Sequence, residues 1–267
     1  MTPLTGKAAQ PTITPERIDK NRHRTPLFFG AIAVAAAMFS IPMFLTGSIT
    51  TALAMIYLAV FIVSYAVAAW CLKYFLSAGR TYWSHDSHRV VMTAPTGMLL
   101  FEVGVPLLGV LGVPLAAVTW LLHRQGDWIG SAALAALGAL SVFYLLQVLH
   151  GCRPVRHRIT VSKSDIELTQ ANGHSLEIPW KAHPHLTGVR QADAIISLKN
   201  HHELQYPIGY LPLSMRQLER LLSTFSTDGQ LRAKLSGPEA LSTVLDILES
   251  TEEELTDGSW TWSRRSR

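Results

Sequence analysis

Apolar residues dominate the first 149 positions of the chain, where they form four long runs separated by short polar connections. The runs cover residues 27–45, 51–72, 98–122 and 129–149. Each is close to the length of about 20 residues that an α-helix needs to cross a hydrocarbon core of about 30 Å. Glu102 is the only acidic or basic residue within them. The pattern predicts four transmembrane helices, with the lipid bilayer as their environment.

After residue 154 the continuous apolar runs give way to alternating apolar and polar positions, which is the period of β-strands. Six short runs of this kind follow between residues 157 and 210. They predict a small curled antiparallel sheet or barrel. Asn172 and Gly173 separate the second run from the third. Because both central residues of a type I′ turn need positive φ, this pair predicts a tight hairpin.

Helix signals follow the strands. Ser214 and Gln217 have the spacing of a capping box at the start of a helix. An apolar stripe at helical spacing comes next, formed by Leu218, Leu221, Leu222 and Phe225. Such a stripe must be buried, and the open end of the preceding sheet is the place for it. Ser236, with Glu239 three positions later, predicts the start of a second amphipathic helix over residues 239–249.

Charged residues make up only 16% of the chain, and the basic ones alternate between the connections. The N-terminal segment, the connection between the second and third runs, and the segment after the fourth run are basic. The other two connections are neutral or nearly so. Because basic connections stay on the cytoplasmic side, we predict a multi-pass protein of the inner cell membrane with both termini in the cytoplasm.

These patterns divide the chain into four parts. Residues 1–26 form a polar cytoplasmic segment, and residues 27–149 form a membrane domain of four helices. Residues 155–230 form a cytoplasmic antiparallel β-sheet or barrel with a C-terminal capping helix. Residues 231–267 form an amphipathic helix and a mobile tail.

The second half also carries a resemblance to a known fold. The residues that carry it are "ITVSKSDIEL", the hairpin into "LEIPW", the strand "AIISLKN" and the stretch "YPIGYLPLSMRQLERLLSTF". Antiparallel strands closed by one capped helix resemble the pleckstrin-homology-like (PH-like) superfold, and more closely its small bacterial YcxB-like versions. The resemblance covers about Arg158 to Phe225. Four spans precede the domain here, whereas simpler relatives have two. The family is not known for catalysis, so the resemblance implies binding or scaffolding.

The third apolar run contains the one charged residue of the membrane domain. Pro106 and Pro114, together with three glycines, predict a kinked or locally broken helix. Broken helices line transport sites, and charged residues inside the bilayer are usually functional, which makes Glu102 an intramembrane candidate. Glu102 is, however, only about four residues, or about 6 Å, from the cytoplasmic end of the run. The alternative is that it reaches the headgroups or pairs with Arg80 or Arg89.

Two further sets of residues are candidates for binding. Pro179 ends a strand, so Trp180 either packs over the end of the sheet or lines a groove for a peptide or a lipid headgroup. Arg153, Arg156 and Arg158 lie at the headgroup level, where each contributes about 1 kcal/mol to contact with anionic lipid. Orientation of the spans alone also explains these arginines.

Three neighbouring residues give the one metal-site hypothesis of the sequence. His85, Asp86 and His88 have a spacing that supplies two or three ligands, but no cysteine or further carboxylates lie nearby in the sequence. This is the best metal candidate, and ordinary loop polarity is the alternative.

Motifs that are missing from the sequence exclude several classes of function. The sequence has no nucleophile elbow, phosphate-binding loop, zinc-protease motif or dinucleotide fingerprint, so we expect neither enzymatic activity nor a cofactor. Nine Lys/Arg against seven Asp/Glu between Arg153 and Asp228 form no basic stripe, so we expect no nucleic-acid partner. We predict a binding or scaffolding protein whose cytoplasmic domain recruits a protein partner or a second copy at the inner leaflet. The alternative is a subunit of a small transporter or channel built around the third run and Glu102.

Overall fold

The computed structural model describes residues 15–46, 49–122, 128–149, 155–190, 193–199 and 202–256. Four helical segments in it are long and apolar enough to cross a membrane, which confirms the four predicted apolar helices. We call them the spans. The first is helix α1 (Pro15–Leu45) from residue 24 onward, the second is α2 (Ile49–Ser77), the third combines α3 (Thr96–Val110) with α4 (Gly112–Leu122), and the fourth is α5 (Trp128–Leu149).

The third span is broken, as its prolines and glycines predict. Helix α3 ends at Val110. The backbone N–H of the next residue, Leu111, donates to the carbonyl of Leu108 at 3.2 Å, and α4 starts at Gly112. A Cβ atom on Gly112 would lie 2.7 Å from the carbonyl oxygen of Leu134 on α5. The break therefore coincides with a close approach of the third and fourth spans that only glycine allows.

Eight strands form two antiparallel sheets. The first sheet has the order β1-β2-β3-β4-β5, and the second has the order β6-β7-β8. The strands are β1 (Trp83–Asp86), β2 (Arg89–Thr93), β3 (Arg158–Val161), β4 (Asp165–Thr169), β5 (Ser175–Pro179), β6 (His185–Arg190), β7 (Asp193–Ser197) and β8 (Glu203–Tyr206). All six predicted strands are present, as β3 to β8. Among the described residues no ladder joins the two sheets, so the barrel is not closed.

Strands β1 and β2 were not predicted. They lie in the connection between the second and third spans, yet β2 pairs with β3, so that Val90 faces Val161 and Met92 faces Ile159. Both Val90 and Met92 are fully buried. The predicted boundary at residue 155 therefore leaves out a hairpin that completes the sheet.

The hairpin between β4 and β5 differs from its prediction. Gly173 has a φ of +81°, but Asn172 is not among the described residues with positive φ. The N–H of Gly173 donates to the carbonyl of Gln170, and the N–H of Gln170 donates to the carbonyl of His174. The type I′ prediction was wrong, because the loop has three residues, with glycine alone in the left-handed position.

Four helices cover the second half. They are α6 (Met215–Thr227), α7 (Gly229–Lys234), α8 (Ala240–Leu248) and α9 (Glu252–Thr256). The capping box of Ser214 and Gln217 is confirmed, and the apolar stripe of α6 is fully buried against the sheets. We call the two sheets together with α6 to α9 the β domain.

The end of the β domain differs from the sequence prediction. The predicted cap at Ser236 was wrong, because α8 starts at Ala240 with Glu239 as its N-cap and without a side-chain cap. Asp228 instead caps α7, a helix that was not predicted. Val244 and Leu248 are fully buried in the common core, so α8 belongs to the β domain. The predicted tail beyond residue 256 lies outside the described residues.

Candidate site at the junction of the spans and the β domain

Glu102 pairs with His157, the residue immediately before strand β3 of the β domain. Its Oε2 atom lies 3.0 Å from Nε2 of His157, and the two side chains are only 5% and 3% exposed. Glu102 is six residues into α3, or about 9 Å along the helix axis. A buried carboxylate needs a hydrogen-bonding partner to offset its lost hydration, and His157 supplies it. This contact joins the third span directly to the β domain.

The two arginines proposed as partners of Glu102 lie elsewhere, so that prediction was wrong. Arg80 lies 3.8 Å from Glu249, and Arg89 lies 3.9 Å from Glu167. The reason is the unpredicted pairing of β2 with β3. It continues beyond the strands through a hydrogen bond from Ala94 N–H to the carbonyl of His157 at 2.8 Å. Since α3 begins two residues after Ala94, His157 is held beside its first turns.

Tyr206 of β8 lies close to the same pair. Its hydroxyl donates to the carbonyl of Thr169 at 3.1 Å, and the ring is fully buried. Burial, with the nearby charge of Glu102 as a smaller cause, raises the pKa of Tyr206 well above its ordinary value. Tyr206 is therefore a neutral hydrogen-bond donor that links the second sheet to the first.

A cavity of about 250 Å³ adjoins Glu102. Residues of α1, α2, α3 and α5 line it, together with Gly209 of the β domain, and most of the wall is apolar. The lining includes Glu102 itself, two alanines and four aromatic residues: Ala68, Ala69, Phe29, Tyr65, Phe101 and Tyr144. Oε2 of Glu102 is bonded to His157, whereas Oε1 has no hydrogen bond to any described residue. The carboxylate is thus part of the cavity wall, and within the described residues one of its oxygens is available to a further group.

The first span is also attached to the β domain. Asp19, on the first turns of α1, accepts hydrogen bonds from the backbone N–H groups of Met215 and Arg216 at 3.1 and 3.3 Å. A carboxylate at a helix N-terminus is favoured because the helix dipole is positive there. Asp19 is 1% exposed. Residues 15–26, predicted as a separate polar segment, therefore continue the helix of the first span and hold the start of α6.

Trp180 is a core residue. Its Nε1–H donates to the carbonyl of Ser162 at 2.8 Å, and its ring packs on Phe225 with the centroids 5.6 Å apart. Only 2% of the residue is exposed. The interpretation of Trp180 as the wall of a binding groove was therefore wrong. Its side chain packs over the end of the sheet, which was the alternative.

The candidate basic residues are separated. Arg156 is exposed, and Arg158 lies 3.9 Å from Glu167, which also contacts Arg89. Arg153 lies outside the described residues. The two described arginines are therefore on the surface, but one of them already has a carboxylate neighbour.

The metal candidate is not assembled. The described residues contain no group of three or more His, Cys, Asp or Glu side chains that could hold a metal ion. His85 and Asp86 are neighbours on β1, and neighbouring side chains on a strand point to opposite faces. His88 lies in the turn after this strand, where Ser87 has a φ of +54°. The hairpin geometry therefore separates the three side chains that a loop would bring together.

The sequence identified Glu102 as a candidate, but it did not identify His157, its partner, or Asp19. One signal was present: His157, Ile159 and Val161 alternate along one strand, so they share a face that the two apolar residues mark as buried. A histidine on such a face needs a polar partner. Asp19 gave no comparable signal, because it precedes the apolar run. No family model, curated protein or solved structure matches the chain.

Proposed function

We propose that this is an integral membrane binding or scaffolding protein whose PH-like β domain recruits or assembles a protein partner at the cytoplasmic face of the cell membrane. One observation carries the proposal: the β domain is fixed to the spans by three separate attachments. They are the β1–β2 hairpin, the hydrogen bonds that the first backbone N–H groups of α6 donate to Asp19, and the pair of Glu102 and His157. A domain on one linker reorients freely, whereas this one presents a surface at a constant distance from the lipid.

The distribution of aromatic and basic residues supports the proposed orientation. Trp70 and Tyr74, at the end of the second span nearest the β domain, are exposed, as are Trp120 and Trp128 at the far ends of the third and fourth spans. Exposed aromatic rings at the ends of a span favour the two interfaces of a bilayer. The basic connections lie on the side of the β domain, which favours the cytoplasm for that side.

The second sheet offers the surface for a partner. Within the described part of the chain, β6 and β8 each pair with β7 alone, so both edges are unpaired. Unpaired edges accept an added strand from another chain. The outer face carries the exposed Thr187 and Gln205 around the half-buried Ile195. An extended segment of a protein partner, or of a second copy, extends the sheet at such an edge and packs on this outer face around Ile195.

A crosslinking pull-down from native membranes tests the proposal. Ile195→Lys alters the outer face of the second sheet, and Val91→Lys is its matched control, because Val91 is also β-branched, half-buried and on the outer face of the first sheet. We expect the partner to be lost with Ile195→Lys and retained with Val91→Lys. Retention of the same partners by both variants contradicts the proposal. Recovery of the chain alone in place of a partner identifies self-association.

The second candidate function, a subunit of a small transporter or channel, is favoured by the break at Leu111 and by the cavity beside Glu102. Irregular backbone within a bilayer is tolerated where it lines a cavity. If this function is right, Glu102→Gln abolishes flux across vesicles that contain the folded protein. An unchanged flux counts against it.

A further inference from the structure

We propose that the cavity at the junction binds one small lipophilic organic cation, for which the carboxylate of Glu102 is the counter-ion. This goes beyond the scaffolding function and does not depend on it. The site lies among the spans, whereas the partner surface is on the second sheet.

Charge is the first argument. Glu102 is the one charged residue among the described residues that line the cavity. Its Oε2 is positioned by His157, and its Oε1 is left without a hydrogen bond to the described chain. A carboxylate held in apolar surroundings is strongly favoured by an added positive charge.

The aromatic wall is the second argument. Four rings contribute to the lining: Phe29, Tyr65, Phe101 and Tyr144. Phe29 and Tyr65, from different spans, are in contact, with their centroids 5.9 Å apart. The faces of such rings attract organic cations, and the attraction grows when the cation is removed from water. Rings together with one carboxylate select a cation that has an apolar body, rather than a hydrated metal ion.

Size is the third argument. The cavity volume of about 250 Å³ is just below the range of about 300–1,000 Å³ that is usual for sites of drug-sized ligands. It suits a ligand with one aromatic ring and a quaternary ammonium group. A larger groove of about 450 Å³ lies between α2 and α3, but its described lining has no charged residue. The charge, and not the volume, therefore singles out the junction.

Equilibrium binding of radiolabelled benzyltrimethylammonium to the full chain in lipid nanodiscs tests the inference. Neopentylbenzene has the same shape without the charge and serves as the competitor. Glu102→Gln removes the charge and keeps a side chain that can bond to His157. Ala68→Leu fills the cavity and leaves the carboxylate unchanged.

We expect saturable binding at one site per chain, weak competition by neopentylbenzene, and a loss of at least about tenfold in affinity for either variant. Melting curves verify that each variant is folded.

Absence of saturable binding to the folded wild-type protein overturns the inference. Equal affinity of the folded Glu102→Gln protein also overturns it. If Glu102→Gln does not fold, the Ala68→Leu variant and the neutral competitor test the inference instead. The inference is then overturned if Ala68→Leu leaves the affinity unchanged, or if neopentylbenzene competes as well as the cation does. Recruitment of a protein partner is measured by the pull-down described above, so the proposed function can fail while the cation site stands, and the reverse.

Discussion

The spans and the β domain use apolar side chains in opposite ways. In the β domain the largest residues are inside: Trp180, Tyr206 and Phe225 are almost completely buried. In the spans, large residues such as Phe39 and Leu140 are exposed, and the contacts between helices are made by small residues. Burial of apolar area drives folding in water, but lipid tails are as apolar as leucine, so helices in a bilayer associate through close fit. The β domain should therefore be sensitive to lost volume, and the spans to added volume.

The largest expected effect is the loss of a large side chain from the β domain. Trp180→Ala removes a buried ring and leaves the carbonyl of Ser162 without its donor, so we expect a destabilisation of about 4 kcal/mol. Phe143→Ala, at a position 63% exposed on the fourth span, is the control and should have almost no effect. Chemical denaturation of the protein in detergent measures both. Equal losses of stability in the two variants would contradict the opposite use of large apolar side chains in the β domain and in the spans.

The pair at the junction has the next largest effect. Glu102→Ala leaves His157 buried without its carboxylate, and we expect a destabilisation of about 3 kcal/mol. The double variant Glu102→Met with His157→Leu replaces both polar groups with apolar ones and should recover most of that loss. Thermal unfolding in detergent compares the two. A double variant no more stable than Glu102→Ala would show that packing, and not the polar pair, holds the junction.

Added volume should harm the spans where they touch. A Cβ atom on Gly138 would lie 2.8 Å from the backbone nitrogen of Val113, so Gly138→Val forces the third and fourth spans apart and costs about 2 kcal/mol. Ala139→Val places the same side chain at the next position, which is exposed, and should be tolerated. Resistance to heat in detergent measures the difference. Equal tolerance of the two valines would mean that this contact is not close.

The smallest effect is a gain in stability in the β1–β2 hairpin. Ser87 has a φ of +54°, a conformation that glycine adopts without steric cost. We expect Ser87→Gly to stabilise the protein by about 0.5 kcal/mol, since relief of strain exceeds the added entropy of the unfolded chain. Ser84→Gly, in the adjacent extended strand, should destabilise it instead. A lower melting temperature for Ser87→Gly would contradict this explanation.

Features that depend on neighbouring residues were predictable from the sequence, and those that depend on distant pairing were not. The apolar spans, the strands β3 to β8 and the capping box of Ser214 follow from local patterns. The sequence "WSHDSHRVVMT" was interpreted as a connecting loop because it lies between two spans, and its partner β3 comes after two further spans. Glu102 was recognisable as a charge in an apolar run. Its pairing with His157 was not, because that contact exists only once β2 and β3 are joined.

The separation of β2 from β3 has a consequence for biosynthesis. About 64 residues, 94–157, lie between the two strands, and at roughly 5–20 residues per second their synthesis takes roughly 3 to 13 seconds. During that time the hairpin has no partner for Val90 and Met92. If the four spans cross a membrane, β3 reaches the side of the hairpin only when the third and fourth spans have both been inserted, in opposite directions. Completion of the sheet then depends on the insertion of both spans, and a chain with a misinserted span keeps the edge of β2 unpaired.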